Sequence, residues 1–430
     1  MARIHSALRR VREDPARLLR AQDIRAACAA SGHVWRERAL DPASTVQAMV
    51  VQTLHGNTAI ADVVRLHHGA FTASAFCQAR ARVPLEGLLH LFHRQNRLVQ
   101  QVAGASPGRW RGHRVWLVDC TGFSMPDSAP LHRHFGQSST QQPGCGFPVS
   151  RTAALFDRRT GLLLDFLPAP LDTGEPILST LLQATLRPGD IVVGDSLYGT
   201  FVQLALCRQR GLHGVFEAHA QRDIRFGTRR EGRVAALGAL DQIVEWHRPA
   251  VCPAWMDPRQ FEALPLTLRV REIRRRVKDP EGRRRSVTLV TTLLDHHGYP
   301  AHEVAELHRD RWRVETYIRT LKHTLNLNVL RCRTVAGVLK ELVMIALVYN
   351  MVRLVMLEAA RRQRVDPGRI SFIDALRWWR YALPGEPLPR LIVNPARPGR
   401  HEPRVKKRRH TAYPFMHRPR LARRTPSAAH

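Results

Sequence analysis

Three acidic side chains in this chain would suit phosphoryl-transfer chemistry if the fold brings them together, although each Asp taken singly is also an ordinary strand-end residue. Val115–Val118 is a short, apolar, β-branched-rich run followed at once by Asp119, and Ile191–Val193 is a second such run that delivers Asp195. Both read as buried strands whose tips carry a carboxylate. The third acid, Glu315, falls in His302–Leu327, a stretch free of Pro and Gly behind Pro300, with Glu303 and Glu306 near its start. That stretch reads as one long helix. At about 100° per residue, His308, Arg311, Glu315 and Lys322 share a stripe about 60° wide, beside an apolar stripe of Leu307, Val314, Ile318, Leu321 and Leu325. Two strand-tip Asp side chains and a helix Glu make a hard, oxygen-rich site suited to Mg²⁺, with Mn²⁺ able to substitute. Two such ions activate a water or a 3′-hydroxyl and stabilise the leaving oxygen of an in-line displacement. Arg311, as a fork, and Lys322, as a point charge, would hold the phosphate backbone alongside.

Convergence of acids so remote along the chain depends on the elements between them. After Val115–Val118 come Val149–Phe156 and Leu162–Leu167, joined by the turn Asp157-Arg158-Arg159-Thr160-Gly161. A helix capped by Thr173, with Glu175 and Pro176 in its first turn, then leads through Pro188-Gly189 to Ile191–Val193. Three strands, a helix and a strand, with Asp at the tips of the first and fourth strands, are the layout of a ribonuclease-H-like fold of the mixed α/β class, whose catalytic helix comes later. Tyr198–Arg210 reads as the next helix, Gly214–Ala218 as the fifth strand, and Val287–Leu294 as a return to the sheet.

The helix spacing, H-x-x-R-x-x-x-E-x-x-x-x-x-x-K, resembles the Y-x-x-R-x-x-x-E-x-x-x-x-x-x-K signature of the insertion-sequence-4 group of DDE transposases, with His308 in place of Tyr. Both side chains can hydrogen-bond a phosphate oxygen. The resemblance extends to D-C-T-G-F at Asp119–Phe123, G-D-I-V-V-G-D-S-L-Y-G at Gly189–Gly199, YNMVR in Val338–Ala360, and the basic run PRVKKRRHTAYPFMHRPR. It implies Asp119, Asp195 and Glu315 as catalytic metal ligands, His308, Arg311 and Lys322 on DNA phosphates, a homodimer that holds two element ends with cleavage in trans, and a bacterial source.

Composition agrees with a nucleic-acid partner. Lys and Arg number 67 against 36 acids, a formal charge of +31, so a polyanion is expected, and no basic amphipathic helix suggests a membrane surface instead. Seven scattered Cys without a C-x-x-C pair, and an N-terminus lacking an apolar leader core, fit a reducing cytoplasmic compartment, here nucleoid-associated. His302-Glu303 lacks the second His of a zinc-protease helix, and there is no phosphate-binding G-x-x-x-x-G-K-[ST] loop. The expected organisation is a helical N-terminal DNA-binding domain at 1–105, ribonuclease-H-like core at 106–221, a β-rich insertion at 222–285, further core with the catalytic helix at 286–385, and a basic tail at 386–430. Short helices around Thr58–Leu66 and Thr72–Val83 suit a DNA reader with Ser74, Gln78, Arg80 and Arg82 towards the groove, or equally a packing domain. Within the insertion, Trp246 and Trp255 are candidates for stacking on an extruded base, against the plainer role of core anchors. Lys406, Lys407, Arg408 and Arg409 in the tail are candidate phosphate contacts. The expected function is a transposase that cuts at terminal inverted repeats and transfers the strands. A related nuclease without strand transfer and an inactive DNA-binding derivative are the alternatives.

Overall fold

The computed structural model describes residues 19–105, 109–227, 232–278, 284–326, 330–381, 386–395 and 416. The tail residues Lys406, Lys407, Arg408 and Arg409 lie outside the described residues. Five helices come first: α1 (Ala21–Ala30), α2 (Pro42–Leu54), α3 (Ile60–Leu66), α4 (Ala73–Arg82) and α5 (Leu85–Ala105). The start of α2 follows from local chemistry, since Asp41 accepts the Ser44 N–H at 2.7 Å and Pro42 opens the first turn. Its end is set by Gly56 and Asn57, both with positive φ. On α4, Ser74, Gln78 and Arg82 are exposed, whereas the Arg80 guanidinium lies over the Phe76 ring and reaches Cys332 Sγ at 3.4 Å.

The central part runs β1 (Val115–Ser124), α6 (Ala129–Phe135), β2 (Val149–Asp157), β3 (Leu163–Ala169), α7 (Glu175–Leu182), β4 (Ile191–Gly194), α8 (Phe201–Gln209) and β5 (His213–Glu217). It continues through β6 (Arg233–Gly238), β7 (Asp241–His247), α9 (Pro258–Glu262), β8 (Thr267–Lys278) and β9 (Arg284–Thr291). The last helices are α10 (Ala301–Arg309), α11 (Trp312–Arg319), α12 (Val335–Gln363) and α13 (Phe372–Tyr381). All nine strands form one sheet in the order β3-β2-β1-β4-β5-β9-β8-β7-β6. β2 is antiparallel to β1 and β3, while β1, β4 and β5 are parallel, which is the ribonuclease-H-like arrangement. Because β9 pairs antiparallel with β5, the inserted strands lengthen this sheet instead of building one of their own.

Alternation along the strands creates two cores. Val115, Leu117, Ala154, Phe156 and Val193 face the cluster built by the N-terminal helices and α10 to α13. Trp116, Val118, Ala153, Leu155 and Val192 face the cluster that holds α7 and α8. α12 is long and apolar enough to cross a membrane by composition, but most of it is buried in the protein. Its polar residues bind specific partners: Glu341 accepts the Arg331 and Cys332 N–H groups, and Lys340 donates to the Arg80 and Ala81 carbonyls at the end of α4.

Three local expectations change. β1 runs on past Asp119 to Ser124, because β2 pairs with it along that whole length. α7 is capped by Gly174, and Thr173 instead accepts a hydrogen bond from Arg151 at its carbonyl. The single long helix is broken at Asp310-Arg311 and ends in a π-helical turn, Thr320–Thr324. The break has a cause: Asp310 accepts from Arg158 Nε at 2.6 Å and pairs with Arg313, which anchors the junction to the turn between β2 and β3.

Asn350 is fully buried on α12 and bonds the main chain of Leu163 on β3 twice, accepting at 2.8 Å and donating at 2.7 Å. Asn350→Leu strands both backbone groups, so the expected loss is about 2–4 kcal/mol of stability. A urea unfolding midpoint within error of the parent's would contradict this.

Candidate active site

Pairing between β1 and β4 positions the first two acids. Val115, Trp116 and Leu117 lie in parallel register with Ile191, Val192 and Val193. Two residues beyond the last matched pair come Asp119, midway along β1, and Asp195, just past the carboxyl end of β4, so both lie where the parallel pairing stops, the usual ligand-binding side of such sheets. Both backbones are tied locally: the Cys120 N–H donates to Asp119 Oδ1 at 2.8 Å, and the Leu197 N–H donates to Asp195 Oδ1 at 2.9 Å. The Asp119 carboxyl is pushed up to about 6, chiefly by burial and in part by Asp195 and Glu175, while the Cys120 N–H and Arg311 oppose the rise.

By the two-residue period of β1, Asp119 shares its face with Leu117, on the side where α11 packs through Val314, Tyr317 and Ile318. Arg311, at the junction before α11, is within electrostatic reach of Asp119, and its Nη1 lies 3.8 Å from Glu315 Oε1. The side chain of Arg311 is 11% exposed and its Nε has no hydrogen-bond partner. A buried guanidinium N–H without an acceptor is costly, and an anion supplies what it lacks. Lys322 sits over the Phe123 ring at 5.3 Å, and half-burial lowers its pKa. Phe123 is on the same face of the same strand as Asp119, so both cations of the broken helix stand along β1.

Glu315 is the acid least tightly gathered. Its side chain is 39% exposed and turned to Arg311. Among the described residues no three His, Cys, Asp or Glu side chains stand close enough together to hold one metal ion, and of the three predicted acids it is Asp119 and Asp195 that stand within electrostatic reach of each other.

His308 departs from the expected phosphate contact. It is buried, its Nε2 lies 3.2 Å from the Gly194 carbonyl, and burial pushes its pKa down to about 3. A neutral ring donating to Gly194 supports the residue just before Asp195; it presents no cation to solvent. Trp246 departs as well: it is buried, donates from Nε1 to Glu272 at 2.9 Å, and has the Arg222 guanidinium 3.5 Å from its ring centroid, so no face is left for a base. Trp255 is half-buried against the same cluster.

A group the acidic-triad reading did not use lies on the opposite face of β1. Glu175, in the first turn of α7, is within reach of Asp119 and Asp195; it hydrogen-bonds the Cys120 thiol, and Arg151 Nε stands 3.8 Å from its Oε1. Burial raises its pKa and pushes the Cys120 thiol up to about 12. Tyr198, buried beside it, places its hydroxyl 3.6 Å from Cys120 Sγ. From its type and place, Glu175 reads as a possible additional acid near the site, with the ordinary N-terminal stabilisation of a helix's first turn explaining it as well.

The sheet order defines a ribonuclease-H-like protein with acids where the parallel pairing of its two central strands stops. Residues 110–351 match the family described as "Transposase DDE domain", more than half of the chain, and the chain belongs to that family. It is also similar to "Putative transposase InsZ" of Escherichia coli (strain K12), 27% identical over 261 residues, which span 58% of this chain and 85% of that one. A structural comparison pairs it with a cryo-EM structure of the piggyBac transposase synaptic complex with hairpin DNA, at 10% identity and a TM-score of 0.43, covering 84% of this chain and 76% of that one. The protein is a DNA transposase, an enzyme acting on DNA.

Two titrations of opposite sign follow from the site. Asp119 has a raised pKa, so the folded state binds its proton more tightly than the unfolded one, and stability falls as pH rises from about 4 to about 6. Asp119→Asn should therefore stabilise the chelator-treated protein by about 1–2 kcal/mol at pH 7.5 and hardly at all at pH 4. His308 has a lowered pKa, so its neutral form contributes stability above about 6.5 that is lost as pH falls. His308→Gln should remove about 2 kcal/mol of the parent's loss between pH 6.5 and 5. Thermal melts across that range test both, and pH profiles unchanged by either substitution would refute them.

Proposed function

We propose that this transposase is of the insertion-sequence-4 type and cuts and joins DNA with Asp119, Asp195 and Glu315 as its catalytic acids around Mg²⁺, Mn²⁺ being able to substitute. The observation that carries the reading is the register of β1 on β4, which sets two carboxylates side by side at one sheet edge. A pair of mutually repelling, half-buried carboxylates beside a helix Glu fits a hard divalent cation, which relieves their repulsion and prefers oxygen donors. When bound, the cations lower the pKa of a water or 3′-hydroxyl and stabilise charge on the leaving oxygen.

The chain's own residues do the rest. Asp119 and Asp195 are the fixed donors, held by the sheet and by the Cys120 and Leu197 N–H groups. Glu315, exposed and bound only by Arg311 among the contacts described, is the donor that a rotamer change recruits. Release of Glu315 frees Arg311, whose fork and unpaired Nε then serve the scissile phosphate. Lys322 neutralises a further phosphate along β1. His308 acts through Gly194 as a positioning residue for Asp195. The excess positive charge favours DNA, including through Lys406, Lys407, Arg408 and Arg409 of the tail. A homodimer pairing two element ends in the bacterial cytoplasm, at the nucleoid, completes the proposal.

The test is a labelled element end incubated with Mg²⁺ and target plasmid. Cleaved and joined products are expected from the parent. Asp119→Asn, Asp195→Asn and Glu315→Gln should each lose at least about a hundredfold in both steps while retaining end binding. Full activity in the Glu315 variant would remove that residue from the mechanism, and cutting without joining would leave only a nuclease. Arg311→Lys should keep the charge yet lose most of the rate, since the fork is lost.

A further inference from the structure

Next to the paired acids, on the Arg151 side, lies a polar cleft of 540 Å³ lined by Arg133, His134, Gln137, Ser138, Arg151 and Asp172 among others. That volume is in the ordinary range of a small-ligand site, roughly 300–1,000 Å³. Its walls are built and mutually bonded. Leu171 N–H donates to the Phe135 carbonyl at 2.9 Å, which joins the end of α6 to the loop before α7, and Val149 N–H donates to the Gly136 carbonyl. Gln137 spends its side chain on the loop between α6 and β2, donating to the Gln142 carbonyl at 2.8 Å and accepting from the Gly144 N–H at 2.9 Å.

Charge in the cleft is unbalanced in a specific way. Arg151 is committed to Glu175 and to the Thr173 carbonyl. Asp172 forms no ion pair among the described residues, and neither does Arg133, which is exposed near the end of α6. His134 is exposed beside it, its ring edge against Phe135 at 4.5 Å. The cleft therefore offers a free guanidinium, an imidazole and hydroxyl groups, one side chain away from the acids: Arg151 touches Glu175, which lies within reach of both Asp119 and Asp195.

We propose that this cleft holds the DNA phosphodiester that neighbours the reacting phosphate, with Arg133 as its principal contact. The inference rests on the catalytic reading of Asp119 and Asp195, because that reading puts the strand at this edge of the sheet. A guanidinium fork matches two phosphate oxygens, the serine hydroxyls and imidazole complete the donors, and Asp172 on the rim disfavours a second phosphate. The neighbouring phosphate is thereby fixed, and the reacting one is aligned without any contact of its own to the cleft.

The probe is a pre-cut element end bearing one uncharged methylphosphonate at successive positions around the cut, with a parallel set carrying it in the target duplex. Binding is measured with the full chain in chelator, so a mistaken choice of catalytic acids leaves the readout intact. For the parent, several positions should weaken binding, and one of them, next to the cut in one of the two duplexes, should do so several-fold. Arg133→Gln should weaken unmodified DNA by a similar factor, lower the salt slope by about 0.9, and become indifferent to the methylphosphonate at that position alone. Arg133→Lys should recover part of the loss. Arg133 is exposed, so folding is expected to persist, and a melt identical to the parent's checks it. An Arg133→Gln protein with parental affinity and slope, or one still weakened as much as the parent by the methylphosphonate next to the cut, would overturn the assignment.

Discussion

The parallel seam between β1 and β4 is the constraint on which the rest of the molecule depends. A shift of one residue there would separate Asp119 from Asp195 along the sheet and turn one of them to the opposite face. The seam is clamped at its far end by Asp190, buried just before β4, which accepts two hydrogen bonds from Arg114 at 2.7 and 2.6 Å, one from the Trp116 indole at 3.0 Å and one from the Arg187 N–H at 3.1 Å. Removing one member of such a buried set leaves the others uncompensated, so its value lies in specifying register more than in net stability. The distance from clamp to acids is five residues on each strand, Arg114 to Asp119 and Asp190 to Asp195, and the equality follows from the pairing itself.

What the clamp holds in place is unfavourable by itself. Asp119 and Asp195 repel, Glu175 adds a third negative group, and burial strengthens each of these effects. The chain offsets them locally with backbone N–H groups and with Arg311 and Arg151, one guanidinium on each face of β1. Crowded, desolvated charges of this kind work against stability, and perturbed carboxyls of this kind cluster at functional sites. The buried, unpaired Nε of Arg311 carries the same signature with opposite sign.

Much of this was legible from residue order. Short β-branched runs that end near an Asp mark buried parallel strands, and their order around one helix was enough for the sheet topology of the core. Where the sequence misled, the reason is tertiary. Periodicity along His302–Leu327 is compatible with a straight helix; the break comes from Asp310 answering Arg158, a residue some 150 positions earlier. His308 has the polarity of a surface ligand, and only the packing of α10 against the end of β4 buries it. Trp246 had the composition of a stacking platform, but Glu272 from the neighbouring strand claims its N–H and Arg222 its face. Glu175 reads as a possible additional acid near the site or as a helix-stabilising first-turn acid, and only the packing of α7 shows that it faces the two Asp residues.

The irregular helix explains how one stripe of residues serves a straight strand. At Asp310 and Arg311 the backbone is overwound: Arg311, Arg313 and Val314 bond to carbonyls three residues back. At Thr320–Thr324 it is underwound, and the Leu325 N–H reaches the Thr320 carbonyl five residues back. The two deviations are opposite in sense, so the second takes back rotation that the first added. Between them, Tyr317 packs against Phe156 of β2 at 5.4 Å and fixes α11 on the sheet. From Arg311 to Lys322 a helix advances about 16 Å at 1.5 Å per residue. From Asp119 to Phe123, the β1 residues those cations meet, a strand advances about 13 Å. The near match lets both cations follow β1 in the same direction, Arg311 towards the acids and Lys322 further along, as a phosphate backbone crossing this edge would require. A regular helix would keep the spacing and lose the anchoring at Asp310, so the breaks are the means by which the cationic ridge is aligned with the acids.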